Sequence, residues 1–169
     1  MKMRLLLPGM LVAAGIVLSG VHAGAANAAK PISAKKFDAL ADAALTAMKK
    51  RAVELKISGV AVVSFAEGDS VQGWNSKMAV VGRMKDAPSA TEKGNNLIGI
   101  AYAKSAEMAD TLKDSGTAGR PPMTGEFGWQ GGVTAKTKTG NIIIAFSGGK
   151  SEDDVEVSKS GLAVMKAGL

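Results

Sequence analysis

The stretch ISGVAVVSFA, residues 57–66, decides how the rest of the chain is read. It is short and rich in β-branched residues, and it abandons the helical spacing that precedes it, so it reads as a strand. Glu67-Gly68-Asp69-Ser70 supplies a turn and Val71 to Met84 a second extended run, which together predict a β-hairpin. On the N-terminal side, Ser33 caps a helix in which Phe37, Leu40, Ala41, Ala44, Leu45, Met48 and Val53 recur on one face up to about Lys56. On the C-terminal side, Pro88 to Asn96 is a polar, mobile connection, and Ala101, Ser105, Met108 and Leu112 mark a second helix ending near Ser115-Gly116.

Residues 117–127, TAGRPPMTGEF, are too rich in Gly and Pro for a regular helix and read as a surface loop suited to function. Trp129 to Thr137 and Asn141 to Phe146 (NIIIAF) form a second hairpin around Thr139-Gly140, the latter strand apolar enough to be central. Gly148-Gly149 then turns the chain into a last helix, with Ser151 as N-cap and Glu152, Asp153 and Asp154 in the first turn, where the helix dipole favours negative charge. The order α-β-β-α-β-β-α predicts an α/β (α+β) fold, an antiparallel sheet flanked by helices.

The first residues set the compartment. Lys2 and Arg4, an apolar run from Leu5 to Val21 and the small-residue exit Ala26-Asn27-Ala28 have the form of a secretory signal peptide over residues 1–28. The run is near the lower limit of about 18 residues for a membrane-spanning helix, but Pro8 and Gly9 interrupt it. Cleavage leaves one domain, residues 29–169, periplasmic or extracellular, with no stable membrane insertion. It removes two basic residues and no acid, so the formal charge of +6 falls by two. The remaining lysines are scattered among acids without interleaved aromatics, which argues against nucleic-acid binding.

Cleavage also removes His22, the single histidine, and the chain has no cysteine. Triads, Cys-His pairs, imidazole or thiolate zinc sites, dithiol redox centres and covalent CxxCH haem are thereby excluded from the mature protein. Gly149-Lys150-Ser151 lacks the earlier glycine of a phosphate loop and is followed by three carboxylates, so it reads as a plain strand-to-helix turn. Glu107, Asp110 and Asp114 fall at i, i+3 and i+7 and read as solvated helix charge, or less simply as a site for a hard cation. Six methionines remain. Met48, Met108 and Met165 lie on apolar helical stripes, whereas Met84 and Met123 lie at segment edges with room to serve a ligand. Trp74, Tyr102, Phe127 and Trp129 stand out in an aromatic-poor chain as core or as ligand contacts.

Taken in order, the strand VAVVSF, Arg83-Met84 with Asp86-Ala87 after it, the helix AYAKSAEMA, Gly131-Gly132 before a strand and Ser147-Gly148-Gly149 before an acidic helix start resemble the GlcG/HbpS-like family. That domain also occurs at the C-terminus of PduO-type corrinoid adenosyltransferases. The resemblance implies a profilin-like antiparallel sheet flanked by helices, assembly into homo-oligomers, and haem as a cofactor in some members. It places the strand edge bearing Met84 beside the helix bearing Tyr102, Lys104 and Met108, which become the candidate cofactor contacts. Two departures stand against it: Lys85 is inserted in the usual Arg-Met-Asp, and Gly131-Gly132-Val133-Thr134 ends without the common proline. The expected function is an exported, oligomeric haem- or tetrapyrrole-binding protein without covalent catalysis of its own. The alternatives are a structural or partner-binding module, and an enzyme acting on a small organic substrate, with Lys104 or Arg83 polarising a carboxylate and, as base, either a carboxylate at a raised pKa such as Glu126 or a desolvated lysine.

Expressed in a bacterial host with its leader, the protein should be recovered outside the cytoplasm beginning at Ala29. N-terminal sequencing checks this, and an intact Met1 in the membrane fraction is the contrary result.

Overall fold

The computed structural model describes residues 32–169; the expected signal peptide and His22 lie outside the described residues. Helix α1 spans Ala34–Glu54, with Ser33 Oγ accepting from Lys36 N at 3.2 Å. Strands β1 (Gly59–Glu67) and β2 (Asn75–Val81) form the expected hairpin, pairing antiparallel with Val62 opposite Met78. The connection before the second helix is not featureless: β3 (Lys85–Asp86) and β4 (Asn95–Asn96) pair across its base. Helix α2 spans Leu97–Thr111 and begins earlier than its apolar spacing indicates, because Asn96 caps it by accepting from Gly99 N. Strands β5 (Gly132–Lys136) and β6 (Gly140–Ser147) and helix α3 (Ser151–Gly168) complete the chain.

The main sheet has the order β2-β1-β6-β5 and is antiparallel throughout. Every residue of β6 is buried, as expected of a central strand. The two faces of the sheet are covered unequally. Ala61, Val63, Phe65, Ile142, Ile144 and Phe146 face α1 and α3, and with Phe37, Met48, Val157 and Met165 they make the main core. Where those helices cross, Gly161 leaves room for Met48, whose sulfur a Cβ there would displace. The other face carries only α2: Val60 and Val62 meet Leu97, Ile100 and Ala101, while Ile143 and Ala145 meet Met108. Towards β2 this second layer thins out, leaving Met78, Ile98 and Tyr102 partly covered and Val80 exposed.

The last helix corrects one expectation. Its N-cap is Lys150, which makes no side-chain capping bond, and Ser151 is already helical. Trp129 likewise precedes β5 and is not part of the strand. Among the described residues no helix is long and apolar enough to cross a membrane.

Candidate functional site

Two concave spaces meet at the β3-β4 pair. The larger, about 450 Å³, is lined by Met84, Lys85, Asp86, Lys93, Asn96 and Ile98 among others. The smaller, about 180 Å³, lies between the start of α2, residues 129–130 and the β6-α3 turn. Asp86 and Asn95 line both. Their common rim is fixed from beneath by Arg83, which donates to Ser58 O at 2.7 Å, to Ser58 Oγ, to Gly148 O at 2.9 Å and to Asp86 Oδ1 at 2.7 Å. Asn95 Nδ2 donates to the other Asp86 oxygen at 3.0 Å. These bonds, that of Asn95 first and then that of Arg83, hold the Asp86 carboxyl below its usual range.

The four candidate contacts are not brought to one cavity. Met84 stands 49% exposed on the wall of the larger cleft. Tyr102 faces β2 instead, with its hydroxyl 3.3 Å from Ser76 Oγ. Met108 is fully buried against Ile143 and Ala145, so its thioether is core filler. Lys104 is 3% exposed, and its Nζ donates to Phe146 O at 2.8 Å and to Asp154 Oδ2 at 2.9 Å. Burial pushes the Lys104 ammonium down and the Asp154 carboxyl up, while the attraction between them partly offsets both. Asp154 is itself held by Gly149 N at 2.8 Å. Asp154, Asn95 and Gln130 were not singled out as ligand contacts, and nothing in their local sequence marks them.

The carboxylates that the sequence offers as cation ligands or as a base are committed elsewhere. Helix α2 stops at Thr111, with Leu112 left-handed at φ 49°, so Asp114 leaves the face shared by Glu107 and Asp110. Glu107 accepts from Gly116 N, Asp110 from Arg120 and Asp114 from Thr134 N. Among the described residues no group of three such side chains converges on a metal position. Glu126 is not a raised-pKa base. Arg120 grips it in a two-bond fork at 2.7 and 2.9 Å and Met123 N donates at 2.8 Å, and together these bring its carboxyl down to about 2. This clamp closes residues 120–126 into a bracket. Beyond it, Phe127 stacks on Trp129 with ring centroids 4.8 Å apart.

No family model matches the chain, and no curated protein matches it. Among solved structures it is similar to the crystal structure of a PduOC:heme complex, at a TM-score of 0.50 and 14% sequence identity, over 80% of this chain and 95% of that one. At that identity the likeness is one of fold: a mixed α/β domain with a four-stranded antiparallel sheet flanked by helices.

Lys104→Met strands a buried carboxylate and should cost about 3–5 kcal/mol in urea unfolding. The double variant Lys104→Met/Asp154→Leu should recover part of that loss, and an equal or larger loss in the double variant contradicts it. The clamp has a pH signature. The folded pKa of Glu126, about 2, lies below the ordinary 4.5, so its stabilisation is complete above about pH 4.5 and disappears as pH falls towards 2. Glu126→Gln should flatten the fall in melting temperature across that window relative to the parent protein.

Proposed function

We propose that the chain is an exported, homo-oligomeric haem- or tetrapyrrole-binding protein of the GlcG/HbpS-like type, without covalent catalysis of its own. The observation that carries this reading is the cleft at Met84. Its volume of about 450 Å³ falls within the usual range of roughly 300–1,000 Å³ for ligand pockets. One wall offers a half-exposed thioether and the side chain of Ile98, and Lys85 and Lys93 stand at the same cleft. This combination suits an amphipathic ring that bears acidic side groups: the ring lies on Met84 and Ile98, and the lysines meet its carboxylates. The fold likeness to a protein solved with heme supports the same ligand class.

The residues present fit haem at Met84 and at none of the other three candidates. Met108 has no exposed surface, the Lys104 ammonium is bound to Asp154, and Tyr102 points towards β2. Bound haem would supply a redox-active iron and an intense visible chromophore, and a sulfur donor at the iron is one recognised mode of ligation. The strip of partly covered Met78 and Ile98 with exposed Val80 supports assembly of copies through this side of the sheet.

Haemin titration of the leader-free protein should give saturable binding with a shifted Soret band. Met84→Ala should change the spectrum and weaken binding by about tenfold or more, which corresponds to about 1.4 kcal/mol, while Met108→Ala should leave the spectrum unchanged. Binding no stronger than that of an unrelated basic protein, or a spectrum indifferent to Met84, contradicts the proposal. Light scattering of the same samples should give a multiple of the chain mass.

A further inference from the structure

The smaller cavity has a chemistry of its own. Its walls come from five separate parts of the chain: the β3-β4 pair, α2, residues 129–130, the end of β6 and the start of α3. Leu97, Ile100 and the indole of Trp129, which is 49% exposed, provide apolar surface. Asn95, Gln130 and Ser151 provide groups that both donate and accept hydrogen bonds. Its most buried members are Lys104 and Asp154. The Lys104 ammonium has three N–H bonds, of which Phe146 O and Asp154 take two, and the third has no acceptor among the described residues. The backbone N–H groups that open α3 have no side-chain cap, since Lys150 supplies none.

The charges decide the ligand class by exclusion. Asp86 is neutralised by Arg83, and Lys104 by Asp154, so the lining has no uncompensated charge. An anion placed near the start of α3 would meet Glu152 and Asp153 in its first turn. A cation would face the Lys104 ammonium and the positive end of the helix dipole. Both signs are disfavoured, while neutral hydroxyl or carbonyl groups meet the amide and hydroxyl side chains of Asn95, Gln130 and Ser151 in the lining.

We infer that this cavity is a binding site for a small uncharged polar ring, of the size and hydroxyl content of a monosaccharide or cyclitol. It would lie against Trp129, with its oxygens bonded to Asn95, Gln130 and the uncommitted Lys104 N–H. The volume of about 180 Å³ is less than half that of the cleft at Met84, which suits one such ring better than a tetrapyrrole. Trp129 is held for this role by Phe127 stacked on it and by the Arg120–Glu126 clamp earlier in the same loop.

The test is saturation-transfer NMR on the purified protein with myo-inositol and D-glucose as neutral probes, and with lactate and ethanolamine as charged ones. A neutral probe should give saturable transfer, and its apparent affinity should fall at least about tenfold in Trp129→Ala and in Gln130→Ala. Both positions are exposed, so circular dichroism should show the variants folded. Absence of saturable transfer from both neutral probes, preference for lactate or ethanolamine, or undiminished binding in the two variants overturns the inference.

Discussion

The Lys104–Asp154 pair is the contact on which the arrangement of layers depends. Lys104 belongs to the helix on one face of the sheet, Asp154 to a helix on the other, and the ammonium reaches across beside Phe146 O at the end of β6. That crossing is possible because Gly131, at φ 136°, has no side chain: a Cβ there would collide with Lys104 Nζ. Two charges withdrawn from water repay their desolvation only with excellent geometry, and a carboxylate left alone at this depth is costly. The pair therefore specifies how α2, the start of β5 and α3 come together, more than it adds to the total stability. Gly149 N and Ser158 Oγ secure the same junction, the first on Asp154 and the second on Gly131 O.

Much of this architecture was legible in the sequence wherever burial imposes a period. The apolar stripe of α1, its Ser33 cap and the unbroken run of β6 are each local consequences of facing one core, so ten or twenty residues suffice to read them. The β3-β4 pair was not legible. Its two rungs, Lys85 with Asn96 and Asp86 with Asn95, are polar, none of the four residues is buried, and two rungs have no period to detect. The cap of α3 was misread because Ser151 has the preferred chemistry while Lys150 occupies the position.

The site was less legible than the fold, for a physical reason. Met84 could be placed at an edge because it ends a strand pattern, and the apolar stripe of α2 already pointed Met108 inward, but it was the family resemblance that put Met108 and Lys104 among the contacts. What separates them from a ligand is distant: Asp154 is fifty residues away from Lys104, and Met108 is covered by β6. Glu126 is the converse case. A carboxylate in a loop looks free to titrate until Arg120, six residues earlier, is seen to grip both its oxygens.

The Arg83–Asp86–Asn95 rim has a consequence beyond rigidity. Because the two spaces are separated by one wall and not by a layer of packed core, they are not energetically independent. Any occupant that shifts Asp86 or Asn95 on one side changes the free energy of occupancy on the other, and by thermodynamic reciprocity the change is the same in both directions. Arg83 is the natural carrier of that exchange, since it ties the wall to Ser58 before β1 and to Gly148 after β6, the two central strands of the sheet.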